Sequence, residues 1–162
     1  ETPAPALDCG QRPPEDEHNI GIPADAGEVL AEIGDPRAVA PMLDRIDDFF
    51  GLHYSLAKMP DGVQALIDTL ADPDGDFGVR FAAASRLGAA TTRRDDAMQA
   101  LLDIVASRTQ DVLMAAVSSL GILGDGDQRA IDALKALVAD EQVDEGARVT
   151  AEKRLAYISR NA

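Results

Sequence analysis

The chain has one cysteine, no tryptophan, two tyrosines and four phenylalanines among its 162 residues. A single thiol, Cys9, excludes an intramolecular disulfide and any multi-cysteine metal cluster. With aromatics this scarce, the 46% apolar fraction is carried mainly by Ala, Leu, Val and Ile. That palette suits close helix-on-helix packing better than β-sheet, where β-branched and aromatic residues are favoured. Basic residues are scarce too: 15 Lys and Arg face 29 Asp and Glu, a formal charge of −14. Such a surface repels phosphate backbones, so nucleic acid is not expected as a partner, whereas a basic protein is compatible with it. No run approaches the roughly 20 apolar residues that span a bilayer, so membrane insertion is not expected. ALDCG around Cys9 lacks the apolar stretch of an export or lipid-anchor signal. The first residue is Glu rather than Met, which reads as a chain trimmed or cut from a longer one. The compartment stays open, with the cytoplasm favoured.

What is present divides the chain in two. Residues 1–24 hold five of the nine prolines and five acidic residues without helical periodicity, and read as an extended Pro-rich acidic arm. Residues 25–162 alternate helical runs with short Gly, Asp or Pro breaks. Within them, VRFAAASRLG (79–88) recurs as VLMAAVSSLG (112–121), and AMQALLDI (97–104) as AIDALKAL (130–137), both at an offset of 33. ARVTAEKRLA (147–156) is a third copy, and DFFGLHYSLA (48–57) a divergent one. Repetition of this kind indicates stacked units, each too small to bury its own apolar face. Each unit reads as two helices, A and B, and the expected spans are A 25–33, B 36–46, A 47–58, B 61–71, A 76–90, B 94–107, A 110–123, B 127–139 and A 144–160. The B helices carry apolar stripes at i, i+3, i+4, i+7, such as Val63, Leu66, Ile67 and Leu70, or Met98, Leu101, Leu102 and Val105. The last of them offers Ile131, Leu134 and Val138. The small runs AAAS (82–85) and AAVS (115–118) predict close approach of successive A helices.

LAEIGDPRAVAPML (30–43), FGVRFAAASRLG (77–88) and AAVSSLGILGDGDQRAIDAL (115–134) resemble the HEAT-repeat α-solenoid family, in its short bacterial form similar to the repeats of phycobilin lyases. The resemblance covers about 25–160 and implies an all-α, right-handed solenoid of about four and a half helical hairpins. It also implies that the B helices line a concave surface. Such repeats host binding and scaffolding, and a few catalytic roles.

Catalytic constellations are not found. Asp72, Asp74 and Asp76 alternate as in a calcium loop, but the sixth and twelfth positions are Phe77 and Ala83 instead of Gly and Glu. A turn with Asp74 or Asp76 capping the next helix explains them. In the same way Gly34 and Gly124 read as helix ends, and Asp35 and Asp127 as caps. Pro36 suits a first helical position, and Pro41 costs a backbone donor and bends its helix. Arg37 is assigned to contacts between units or to solvent. His18 and His53 lack an HExxH pattern and the His-Glu pairs that HEAT-repeat hydroxylases use for iron, so no metal or other cofactor is expected. No serine or cysteine lies in a nucleophile motif.

What survives is a polar series. Superposing the B helices places Asp44, Asp68 and Asp103 at one position, with Gln64, Gln99 and Asp132 one turn earlier. This acidic ladder is the candidate surface for a protein partner of basic character, which makes the chain a non-enzymatic interaction module or scaffold. Phe49, Phe50, His53 and Tyr54 form a second candidate surface. It would line a pocket if the chain were a bilin lyase-like chromophore enzyme. A third alternative is an immunity or antitoxin protein masking a basic toxin.

Overall fold

The computed structural model describes residues 24–44 and 52–161. The proposed arm, apart from Ala24, and residues 45–51 lie outside that range. Among the described residues there are nine α-helices and no strand. They are α1 (Ala24–Ile33), α2 (Val39–Leu43, preceded by a 3-10 turn Pro36–Ala38), α3 (Leu52–Leu56), α4 (Pro60–Ala71) and α5 (Phe77–Leu87). The remainder are α6 (Arg94–Ser107), α7 (Gln110–Leu123), α8 (Gln128–Ala139) and α9 (Glu145–Asn161). From α4 onward each helix falls within three residues of its expected bounds. The helix expected over 36–46 is instead split by its prolines. Pro36 opens the 3-10 turn, and Pro41, which has no N–H to donate, lies inside the short α2.

The helices form two rows, the odd ones stacking on one another and the even ones α2, α4, α6 and α8 doing the same. The sequence predicts a unit of A followed by B. In the structure, however, α4 packs most extensively on α5, α6 on α7 and α8 on α9, so the tight hairpin is an even helix with the odd helix after it. Nine helices still make four such pairs and one over.

The core lies between the rows. Leu66, Leu101 and Leu134 from the even helices and Leu87, Leu113, Leu120 and Ile158 from the odd ones are almost wholly enclosed, each worth roughly 1.5–3 kcal/mol of burial. The predicted stripes hold with one systematic deviation: Ile67 and Leu102, their i+4 members, are only half-buried. In α8 both Ile131 and Val138 are half-buried, while Ala130 and Leu137 take the enclosed places.

Loop chemistry ends and starts the helices. Gly34 has φ +68, a left-handed conformation that closes α1 without steric cost only in glycine. Asp35 accepts from the Arg37 backbone N–H at 3.0 Å, Asp76 from those of Gly78 and Val79, Asp127 from that of Arg129, and Asp144 from those of Gly146 and Ala147. Each satisfies helix-start donors that have no partner inside the helix. Gly124 does end α7, but its φ is −89; what it supplies is room, since a Cβ there would lie 2.4 Å from that of Ala130.

Arginines join successive units. Arg80, almost enclosed, donates to Asp111 at 2.7 Å and to the Leu70 carbonyl at 3.4 Å. Arg94 donates to the carbonyls of Ala90 and Leu123, the latter at the C-terminal end of α7, where a cation is favoured. Arg129 bridges Asp127 and Asp95, and Arg108 pairs with Asp140. Arg37, assigned to inter-unit contacts or solvent on the sequence, is exposed to solvent and pairs with Asp35 of its own loop.

Candidate interaction site

The predicted ladder lies on one row. Asp44 caps the end of α2, Gln64 and Asp68 stand on α4, Gln99 and Asp103 on α6, and Asp132 on α8. All but the half-buried Gln64 are exposed. The carboxylates of α4, α6 and α8 are already engaged within their own helices. Gln64 donates to Asp68 at 2.7 Å, Gln99 to Asp103 at 2.8 Å and Gln128 to Asp132 at 2.7 Å. These are i,i+4 pairs, and in α8 the pair sits one turn earlier, so Asp132 takes the register of Gln99 and Ala136 that of Asp103. Two grooves run between the even helices. One of about 280 Å³, bordered by Ile67, Arg93 and Asp96, brings Gln64, Gln99 and Asp103 together. The other, of about 310 Å³, joins Gln99 and Asp103 to Leu102, Leu137 and Arg108. Asp44, Asp68 and Asp132 line neither.

The odd helices α5, α7 and α9 approach one another more closely than α4, α6 and α8 do. Small residues permit it. Ala83, Ala84 and Ala116 are fully enclosed, and buried Ser119 donates to the Ala84 carbonyl at 2.8 Å. The ladder therefore lies on the more loosely packed of the two rows.

Electrostatics follow the arginine pairs. The Arg37 guanidinium holds the Asp35 carboxyl below the usual range, and Arg129 does the same for Asp127. The Gln142 backbone N–H, then Arg108, lower Asp140. Lys58 lowers Glu28, on which it closes an ion pair at 2.6 Å. Burial pushes the Arg86 guanidinium down, with Tyr54 opposing.

Of the proposed aromatic surface, Phe49 and Phe50 lie outside the described residues, as does the His53 side chain. Tyr54 is exposed, and the Arg86 guanidinium stands over its ring at 5.4 Å, a cation–π contact between α3 and α5.

A different surface was missed in the sequence. Among the described residues, the large apolar side chains left between 39% and 66% exposed are Val29, Ile33, Tyr54, Phe77, Phe81, Met114, Ile122, Val149 and Tyr157. Every one belongs to an odd helix. Phe81, Met114 and Val149 occupy the same place in the repeat, the third residue of the VRFAAASRLG motif and its copies. Ile122 and Tyr157 share another, two positions after Leu120 and Leu155. The signal was therefore available: an apolar residue recurring off the buried stripe. Isolated exposed apolar residues are ordinary, whereas a shared face of them marks an interaction surface.

Two rows of antiparallel helices, repeated at a fixed register and presenting aligned outward residues, define an α-solenoid repeat protein. The family model described as HEAT repeats matches residues 63–153, more than half of the chain, and the protein belongs to the HEAT-repeat family. HEAT repeats commonly serve as protein-interaction scaffolds. A search of curated proteins finds no match. No helix among the described residues is long and apolar enough to cross a membrane.

Proposed function

We propose that this chain is a non-enzymatic protein-interaction module whose partner docks on the outward face of α5, α7 and α9. The observation that carries the proposal is the confinement, among the described residues, of the exposed large apolar side chains to the odd helices. Burying such side chains against a partner releases roughly 25 cal/mol per Å² of apolar surface, and anchors of this kind dominate binding energy. The test is capture of partners from host lysate by wild type, by Met114→Ser/Ile122→Ser and by Asp44→Ala/Asp68→Ala/Asp103→Ala. Loss of the captured protein with the first variant and retention with the second supports the proposal. Capture unaffected by the first variant removes it.

A second reading keeps the partner on the even helices, where Gln99 and Asp103 border both grooves. It draws on the acidity of the ladder and requires a basic partner. Under it the triple aspartate variant loses the partner and added salt weakens binding.

A further inference from the structure

On α5, α7 and α9 the exposed face has a regular cross-section. Met114, Ser118 and Ile122 follow one another at i, i+4, i+8, and so do Val149, Lys153 and Tyr157, and Phe81, Ser85 and Ala89. Residues spaced this way lie on one helix face. The apolar members fall on two tracks, one through Phe81, Met114 and Val149 and the other through Ile122 and Tyr157. Eight residues separate the tracks, about 12 Å along the helix axes at 1.5 Å per residue. Between them the half-buried hydroxyls Ser85 and Ser118 leave a shallow floor on α5 and α7, while the exposed Lys153 stands at the corresponding place on α9. The result is a trough walled on both sides at α7 and α9 and on one side at α5, where Ala89 is small and half-buried, and about as wide between its tracks as one α-helix, which measures about 10–12 Å with its side chains.

The two borders of the trough differ in charge. The first track lies in the opening turns of its helices, beside the loops that enter α5 and α9. These loops carry Asp72, Asp74, Glu141, Asp144 and Glu145, all exposed. Track and acidic border adjoin at Gly146, where an added Cβ would lie 2.9 Å from an Asp144 carboxylate oxygen and 3.5 Å from the Met114 sulfur. The border beyond the second track is mixed, carrying the exposed Arg93, Arg94 and Asp125 and the half-buried Asp127.

Resting on the interaction reading above, we infer that the trough takes a basic amphipathic α-helix of a protein partner. It lies across α5, α7 and α9 with its apolar stripe between the tracks and its Lys and Arg side chains over the acidic border. Packed helices stand about 8–10 Å apart, close to the roughly 10.5 Å covered by seven residues of a crossing helix. One apolar anchor every two turns therefore meets each odd helix in succession. A carboxylate-rich helix is disfavoured by the same border, so charge decides which amphipathic helices enter.

The experiment uses three fluorescein-labelled 20-residue peptides of Leu with a charged residue: a Leu/Lys amphipathic helix, a scramble of identical composition, and the amphipathic pattern with Glu for Lys. Fluorescence anisotropy against the whole chain should show the Leu/Lys helix binding at least about tenfold tighter than the other two. Met114→Ser/Ile122→Ser should weaken it at least about tenfold, and Asp74→Asn/Glu141→Gln/Glu145→Gln should weaken it several-fold and flatten its salt dependence. Circular dichroism melts accompany each variant, and Val149→Ser/Tyr157→Ser replaces the first pair if that pair unfolds. Equal binding of scramble and helix overturns the inference, as does absence of binding by all three. If the Glu peptide binds equally well and loses affinity with the serine variants, the basic partner is wrong and the apolar face stands. Binding indifferent to both serine pairs overturns face and occupant together.

Discussion

Replacing Gly88 by Ala probes the closeness of the odd row at a single point. Gly88 ends α5 with φ −60 and ψ −22, a conformation any residue adopts, and in open surroundings the added methyl would stabilise by about 0.4–1 kcal/mol through the unfolded chain. The surroundings are not open. A Cβ at 88 would meet the Cβ and Oγ of Ser119 at 2.8 Å and its Cα at 2.9 Å, where comfortable carbon contacts lie at about 3.5–4.0 Å. Ser119 has nowhere to go, being 2% exposed and bonded to the Ala84 carbonyl. α5 and α7 must therefore separate by a sizeable fraction of an ångström along an Ala-lined seam. Overpacking of this kind costs about 1–3 kcal/mol. After the propensity gain the net loss should be about 1–2 kcal/mol, which in a chain of this size lowers the melting temperature by roughly 2–8 °C. Urea unfolding followed by circular dichroism reads the change as a lower midpoint at unchanged slope. In a Ser119→Gly background, which removes two of the three nearest atoms, the cost of Gly88→Ala should shrink. A midpoint equal to or above wild type would refute the reasoning, because it would mean that the seam yields freely.

Leu101→Ala, at a fully enclosed site of α6, should cost about 2–5 kcal/mol in the same assay. Asp111→Ala leaves the enclosed Arg80 guanidinium without its carboxylate and should cost about 1–2 kcal/mol, less than for a wholly buried pair because Asp111 is itself part-exposed; Arg80→Met/Asp111→Ala should recover part of that loss. Asp127→Asn retains a helix-capping oxygen but removes the charge that Arg129 stabilises. Because the folded pKa is depressed, the wild-type advantage is full above the ordinary carboxyl value of about 4 and fades as pH falls through the lowered one. Urea midpoints of the two proteins should thus converge in acid, and a gap that widens there would contradict the assignment.

Helix positions were readable because capping and periodicity are local. Asp76, Asp127 and Gly34 do at their helix ends what their residue types predict, and the 33-residue recurrence of Leu101 as Leu134 carries two enclosed core positions. The pairing of helices was less readable. Either grouping of alternating helices gives the same sequence period, and only packing distinguishes α4 with α5 from α5 with α6. The candidate surface was harder still. Gln64, Gln99 and Asp103 do share a groove, but the ladder carboxylates of α4, α6 and α8 are engaged by their own helices. Nothing in the composition set Phe81, Met114 and Val149 apart as exposed, since hydropathy reports what a side chain prefers and not whether the stack covers it.

The sequence by itself determined a stack of paired helices, the caps that delimit them and the leucines that fill the core, because each follows from interactions within a few residues or from a strict repeat. The tertiary structure decided which row closes up and which apolar residues stay outside. Both depend on how Ala83, Ala84, Gly88 and Ser119 let α5 meet α7, a contact between residues some 30 positions apart. The same close approach aligns Phe81, Met114 and Val149 on one surface.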